Sequence, residues 1–231
     1  EALAGAEAGL RLSEIAEATE LKANTAHNLA NTLVARGYVE KVEGPLYRLG
    51  PAAVQLAARS SRTSFVTAAM DAVRAGYEAV PEATWVVSER VGSEIVVVLR
   101  MAPEQPGVLQ RPQGTTFHPY ANASGLAIMA FLPEDEALAI RERYPFYEFG
   151  AHLWGTVERF QDFLATVRGK GCATPPFPDQ AGFRVAAPVY GAHGNLIGAF
   201  GASVGARQEK GTAEMVKRVV RSAEELSASL D

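Results

Sequence analysis

The residues from Leu10 to Leu49 constrain the fold more than any other part of the chain. The run LRLSEIAEATELKANTAHNLANTLVARGYVEKVEGPLYRL reads as two short helices, a turn and a two-stranded ribbon. The first helix covers about Ser13 to Thr19 and turns Leu12, Ile15 and Ala16 inward. Thr19 to Lys22 lead into a second helix, about Ala23 to Arg36, which is helix-turn-helix spacing. Along that second helix Ala26, Leu29, Ala30 and Leu33 recur at helical spacing and are expected to form the inward stripe. Asn24, His27, Asn28 and Asn31 recur on the opposite side, a face that is polar, uncharged and rich in amides. An amide both donates and accepts, which is what an adenine edge in a DNA major groove requires. Gly37 suits the end of the helix because it tolerates positive φ. Tyr38 to Val42 and Leu46 to Leu49 then alternate as strands of a wing around Glu43-Gly44-Pro45, with Lys41 and Arg48 placed to meet phosphates.

The combination is specific. Leu12-Ser13-Glu14-Ile15-Ala16, Thr25-Ala26-His27, the run Leu33 to Glu40 and Tyr47-Arg48-Leu49-Gly50, in that order, resemble the winged helix of the IclR family of bacterial transcription regulators. Three positions depart from the family pattern. Glu20 replaces the usual turn Gly, Asn28 stands where an Arg is usual, and Lys22 stands where Ser or Pro commonly starts the helix. These departures bear on base preference and affinity rather than on the fold. The resemblance makes Lys22, Asn24, Thr25, His27, Asn28 and Asn31, with Lys41 and Arg48 of the wing, the candidate DNA-binding residues. The competing reading is a winged helix that docks on protein.

At 231 residues the chain has room for one large or two modest domains. No apolar run is long enough to span a bilayer, and the Ala-rich opening lacks a signal-peptide pattern. Glu1 is not an initiating residue, so residues are expected to precede it. A single cysteine, Cys172, excludes an internal disulfide and a cysteine-cluster metal site. A cytoplasmic protein is the expectation. The formal charge is −4, but residues 1–62 hold seven basic and seven acidic side chains, so the whole deficit lies beyond them. An electrically neutral DNA-binding domain makes few phosphate contacts, and a homodimer or tetramer acting on two half-sites is expected.

After Gly50, Pro51 suits the first turn of a helix. Helix is expected to Ala58, a break or bend at Arg59-Ser60-Ser61-Arg62-Thr63, and helix again to about Val80. The second domain starts near Pro81 with a hairpin, Thr84 to Arg90 and Glu94 to Met101, turning at Gly92-Ser93. A Pro-, Gln- and Gly-rich loop follows, then helices near 124–131 and 133–143, an aromatic loop (Tyr144, Phe146, Tyr147, Phe149) and a helix at 156–169. Strands at 183–190 and 196–203, joined at His193-Gly194-Asn195, and a helix near 210–230 complete the chain. The expected class is α+β: a winged helix-turn-helix over 1–50, linker helices over 51–80, and an antiparallel sheet with helices over 81–231. The run Tyr120 to Ala127 with Ala130-Phe131-Leu132-Pro133, and Ala186 to Tyr190 with Gly194 and Ser203, resemble the GAF-like sensor domain of the same family. Leu126 stands where the family often has Lys, and Pro175-Pro176-Phe177-Pro178-Asp179 replaces an acidic stretch.

No catalytic constellation is visible. His27, His118, His152 and His193 lie far apart, without ligand spacing for a metal. Cys172 has no neighbouring base, the glycines follow no phosphate-loop spacing, and Glu134-Asp135-Glu136 suit a helix start. No cofactor is expected. Binding chemistry is more promising. Asn122 or Ser124 can cap the helix at Gly125, and a helix N-terminus offers free amides to a carboxylate; the alternative is a terminus that meets only water. By the resemblance, Arg184 and Ser203 line an effector pocket beside Ala123 and Ser124, with Trp85, Leu109 and Met129 as apolar walls and Thr174 a further effector-binding candidate. Arg184 is out of phase with Phe183, Val185 and Ala187 and shares a face with Ala186. A buried guanidinium requires a partner, and an effector carboxylate would supply one. Two other placements are open: the solvent face of an edge strand, or a pair with an acid such as Asp179. The resemblance implies a regulator that binds a double-stranded, pseudo-palindromic operator and senses a small organic acid, with no membrane partner. The alternative from another class is a non-DNA sensor, or an enzyme-associated module that docks through its winged helix.

Overall fold

The computed structural model describes residues 2–3, 6, 9–42, 44–112, 118–177, 182–205 and 211–230, the side chains of 54–64 and of 193 excepted. Glu43 of the wing turn and Asp179 lie outside the described residues. The chain divides into two units, Glu1–Ser64 and Phe65–Asp231.

The first unit holds β1 (Leu10–Arg11), α1 (Leu12–Ala18), α2 (Ala23–Ala35), β2 (Val39–Lys41) and β3 (Leu46–Leu49), with β3 between β1 and β2 in an antiparallel sheet. Strand β1 is two residues long, too short to leave an alternation in the sequence. The Glu14 carboxylate accepts from the Arg11 amide at 2.6 Å and closes the start of α1. Four residues separate α1 from α2, and Glu20 among them takes φ 54°, a conformation that strains any side chain. At the other end of α2 the Gly37 amide bonds Val34 O at 3.0 Å and the Tyr38 amide bonds Leu33 O at 2.9 Å, with Gly37 at φ 71°. That pair of bonds satisfies the last carbonyls of the helix and requires a residue that accepts positive φ.

The inward stripe of α2 is narrower than the sequence suggests. Ala26 and Ala30 are buried, and Val34 packs with Ala30, Val39, Tyr47, Leu12 and Ile15. Leu29 and Leu33 are 50% and 42% exposed, contrary to the expectation that they face inward. The spacing i, i+4, i+8 of Ala26, Ala30 and Val34 sets the buried line, and Leu29 and Leu33 sit one step around the helix from it.

Helix α3 (Pro51–Ala79) is continuous, and the expected break at 59–63 is absent. The run Arg-Ser-Ser-Arg-Thr contains neither Pro nor Gly, so its helical cost is only tenths of a kcal/mol per residue, roughly. The boundary between the units falls inside this helix, at 64/65.

The second unit is built on β4 (Thr84–Val91), β5 (Glu94–Met101), β6 (Phe183–Tyr190) and β7 (Leu196–Val204), antiparallel in the order β5-β4-β7-β6. One sheet face carries Trp85, Val87, Leu99, Val185 and Phe200 against Phe65, Ala69 and Val73 of α3 and Val219 and Leu226 of α9 (Thr212–Ala228). The other carries Ile95, Ala186 and Ala199 against α4 (Ala123–Phe131) and α8 (Val157–Lys170). Between these two helices run α5 (Glu134–Arg143), α6 (Phe146–Phe149) and α7 (Ala151–Trp154). The last two occupy the stretch expected to be an aromatic loop. Their rings explain the order: Phe146 and Phe160 both meet Tyr120 edge-on, at 5.6 and 5.1 Å, and Trp154 Nε1 donates to Tyr120 O at 3.0 Å. No described helix is long and apolar enough to cross a membrane.

Candidate functional site

In the first unit, Lys22, Asn24, Thr25, His27, Asn28 and Asn31 are all exposed. Residues 24, 27, 28 and 31 recur at intervals of three and four, so they form one face of α2, opposite the buried Ala26–Ala30 line. The Asn31 side-chain nitrogen lies 3.3 Å from His27 Nε2, one turn away. On the wing, the Arg48 Nε donates to Glu40 across the β2–β3 register, so part of its charge is already answered. Lys41 Nζ stands 5.2 Å from the centre of the Tyr47 ring. A shallow cleft of about 390 Å³ brings Arg11, Ser13 and Lys41 together beside Gly44 and Pro45. Arg11 was not among the expected phosphate-facing residues, because only the unforeseen strand β1 carries it onto the wing.

The second unit contains a cavity of about 700 Å³ between the sheet and the start of α4. Val86 and Ser88 from β4, Arg100 from β5, Arg184 from β6, and Gly201 and Ser203 from β7 form its floor. His118, Ala121, Asn122, Ala123 and Ser124 form the opposing wall. The Asn122 Oδ1 accepts from the Gly125 amide at 2.6 Å, and its Nδ2 donates to His118 O at 3.1 Å. The cap is therefore Asn122, while Ser124 lines the cavity. The first α-helical bond of α4 runs from the Leu126 amide to Asn122 O, so the amides of Ala123 and Ser124 precede the ladder, at the positive end of the helix dipole. A Cβ on Gly125 would lie 2.7 Å from Pro119 O, so this close approach requires glycine. Arg100 is held in the floor by bonds to Gln110 Oε1 at 3.0 Å and Glu104 Oε2 at 3.1 Å.

The electrostatics follow from burial. Desolvation pushes the His118 imidazole below the usual histidine value, and the nearby His152 adds to the push. Desolvation also lowers the Arg184 guanidinium from its ordinary value. The Cys172 thiol is raised by burial, which suppresses the thiolate and makes it a core side chain. Among the described residues, no group of three His, Cys, Asp or Glu could hold a metal ion.

Of the expected pocket residues, Ala123, Ser124, Arg184 and Ser203 border one cavity. Four others do not. Trp85 is fully buried in the core on the opposite sheet face, because strand residues alternate and its neighbour Val86 takes the cavity side. Leu109 packs toward that same opposite core, while the adjacent Gln110 lines the cavity. Met129 is buried with α8 and Tyr120, more than a turn beyond the end of α4 that meets the cavity. Thr174 follows Ala173, which bridges Ala186 at the β6 edge, and lies away from the cavity wall. Sequence reasoning missed Val86, Ser88, Arg100, Gln110 and His118, and took Asn122 only as a possible helix cap. The alternation of Trp85-Val86-Val87-Ser88 could have found the first two, once Trp85 was taken as core.

The IclR helix-turn-helix domain model matches residues 1–43, and the bacterial transcriptional regulator IclR C-terminal model matches residues 70–228. The HTH-type transcriptional regulator XynR of Escherichia coli (strain K12) is 25% identical over 202 residues, which is 84% of this chain and 78% of the relative. An IclR-family structure from Rhodococcus sp. superposes with a TM-score of 0.69 at 21% identity, covering 98% of this chain and 90% of that one. An IclR homolog from Microbacterium hydrocarbonoxydans, solved with 4-hydroxybenzoate, superposes with a TM-score of 0.59 at 20% identity, covering 96% and 91%.

Proposed function

The chain belongs to the IclR family of bacterial transcription regulators, with a DNA-binding helix-turn-helix and an effector-binding domain, and from that premise we propose that it binds a pseudo-palindromic operator as a homodimer or tetramer and releases or tightens its hold when a small organic acid enters the cavity at α4. It is a regulator and not an enzyme. Its place of work is the cytoplasm, where the operator is.

The observation that carries the effector reading is the cavity itself. The first turn of α4 and the Arg184 guanidinium both border it, and both favour an anion. Val86 and Val97 supply an apolar remainder, so the ligand is a carboxylate on a hydrophobic or aromatic body. The relative solved with 4-hydroxybenzoate supports that chemistry. On the DNA side, the exposed amides of α2 enter the major groove, and Arg11, Lys41 and Arg48 meet phosphates. Helix α3 is the element through which the ligand acts. Its C-terminal half packs on the sheet face opposite the cavity, so a shift of β4 or β7 under the ligand reaches it through Trp85 and Phe200. The coupling is a difference in stability between two arrangements of the same chain.

An electrophoretic shift assay on the DNA upstream of its own operon, with calorimetric titration of aromatic and aliphatic acids, tests both halves. Retardation of that DNA over random duplex, and binding of at least one acid, are the expected results. Equal retardation of both duplexes removes the operator reading, and silence from every acid removes the effector reading.

A further inference from the structure

Two hydrogen-bonding atoms of the cavity lining are buried without a hydrogen-bond partner among the described residues, Ser88 Oγ of the floor and His118 Nδ1 of the wall. Ser88 is 1% exposed, and its sheet neighbours in register are Val97 and Ala199, neither with a polar side chain to offer. A buried hydroxyl left unmatched is costly, and folding does not explain it, since an alanine would fill the same place. The His118 ring packs against Phe149 at 5.8 Å and Tyr120 at 6.4 Å, which fixes its position at the wall. Neutral imidazole and serine hydroxyl both pair with a neutral group that donates and accepts. A second carboxylate or an ammonium placed there would need a counter-charge that neither supplies.

The register fixes the spacing. Val86 faces Gly201, whose would-be Cβ lies 3.5 Å from Ser124 Oγ, so the start of α4 stands over that pair. Ser88 is two residues further along β4, one strand across from Gly201, which puts it about 8 Å away. A benzene ring or a chain of several carbons spans that distance.

Resting on the carboxylate reading above, we infer that the effector is a hydroxy acid, its carboxylate at the first turn of α4 and its hydroxyl, about one ring or short chain away, bonded by Ser88 Oγ. Among the described residues, Ser88 Oγ is the polar atom of the cavity floor that folding leaves buried and unmatched, and the ligand hydroxyl completes it. A site built in this way favours the hydroxy acid over the analogue lacking the hydroxyl, because only the former gives Ser88 Oγ a partner.

The test is a calorimetric titration of the full chain with three matched pairs: 4-hydroxybenzoate and benzoate, 4-hydroxyphenylacetate and phenylacetate, 6-hydroxyhexanoate and hexanoate. At least one hydroxy acid should bind about tenfold or more tighter than its partner. In Ser88→Ala that ratio should fall to near one, with the deoxy acid bound as in the wild type. Acids that bind with no hydroxyl preference overturn the inference and leave the carboxylate reading standing. A preference that survives Ser88→Ala, or an equal loss for both members of the pair, overturns the role of Ser88. Failure of every acid to bind overturns the carboxylate reading and this inference with it.

Discussion

Arg184 of β6 and Ser203 of β7 stand directly opposite each other in the sheet, and both border the cavity at the start of α4. The pairing gives a ligand carboxylate two kinds of donor from the floor, one charged and one neutral. Arg184→Ala should weaken the best-bound acid by about tenfold or more, the loss expected for a charge-assisted bond. Calorimetry on both proteins with the same acid checks it. Unchanged affinity would put the carboxylate entirely on the amides of Ala123 and Ser124.

Asn28 tests base reading against simple attraction. Its side chain lies on the exposed face of α2 with Asn24, His27 and Asn31. Asn28→Ala should cost about 1–3 kcal/mol on the preferred duplex and little on random DNA. Lys41→Ala should instead weaken all duplexes alike and flatten the salt dependence. Fluorescence anisotropy with the two duplexes separates the outcomes. An equal loss on both for Asn28→Ala would remove the base-reading role.

The architecture was legible where periodicity and spacing are strong. The helix-turn-helix, the wing, the hairpin from Thr84 to Met101 and the two later strands all follow from alternation, glycine placement and helical repeats. The faces were less legible. Leu29 and Leu33 look like core by spacing, yet Ala26 and Ala30 define the buried line, because small residues allow close approach and spacing alone does not say which of two adjacent rows is covered. Trp85 illustrates the same limit in a sheet covered on both sides: each face of β4 mixes apolar and polar side chains, Trp85 and Val87 with Glu89 on one and Val86 with Ser88 and Arg90 on the other, so composition does not tell cavity from core. Contacts between distant segments, such as Gln110 on Arg100 or Trp154 on Tyr120, leave no local signal.

Gly76 provides a prediction in which packing and propensity oppose each other. In an unobstructed helix Gly→Ala stabilises. A Cβ at Gly76 would lie 2.6 Å from the Trp85 ring, which is fully buried and held by its Nε1 bond to Val80 O at 3.2 Å. Gly76→Ala should therefore destabilise, by about 1–3 kcal/mol. Chemical denaturation measures it, and a gain in stability would mean that Trp85 yields easily.

His118 sets a pH dependence. Its pKa in the fold is below the ordinary histidine value near 6.5, through desolvation first and His152 second. Above that ordinary value both folded and unfolded chains hold it neutral, and it contributes no slope. As pH falls below it, the unfolded chain takes the proton first, so stability drops until the folded pKa is passed. His118→Phe should therefore lose less stability than the wild type between about pH 7.5 and about pH 5.5. Identical losses in the two proteins would show that His118 titrates in the fold as it does unfolded.

One chain carries both the cavity and the DNA-facing helix, so ligand and operator binding should be coupled. The measurement is anisotropy of a labelled duplex from the upstream region of its own operon, titrated with protein in the absence and in the presence of a saturating acid that calorimetry shows to bind. Operator affinity should change by about fivefold or more, in either direction, with random duplex unaffected and the response reduced in Arg184→Ala. Operator affinity that is the same with and without the bound acid would contradict that coupling.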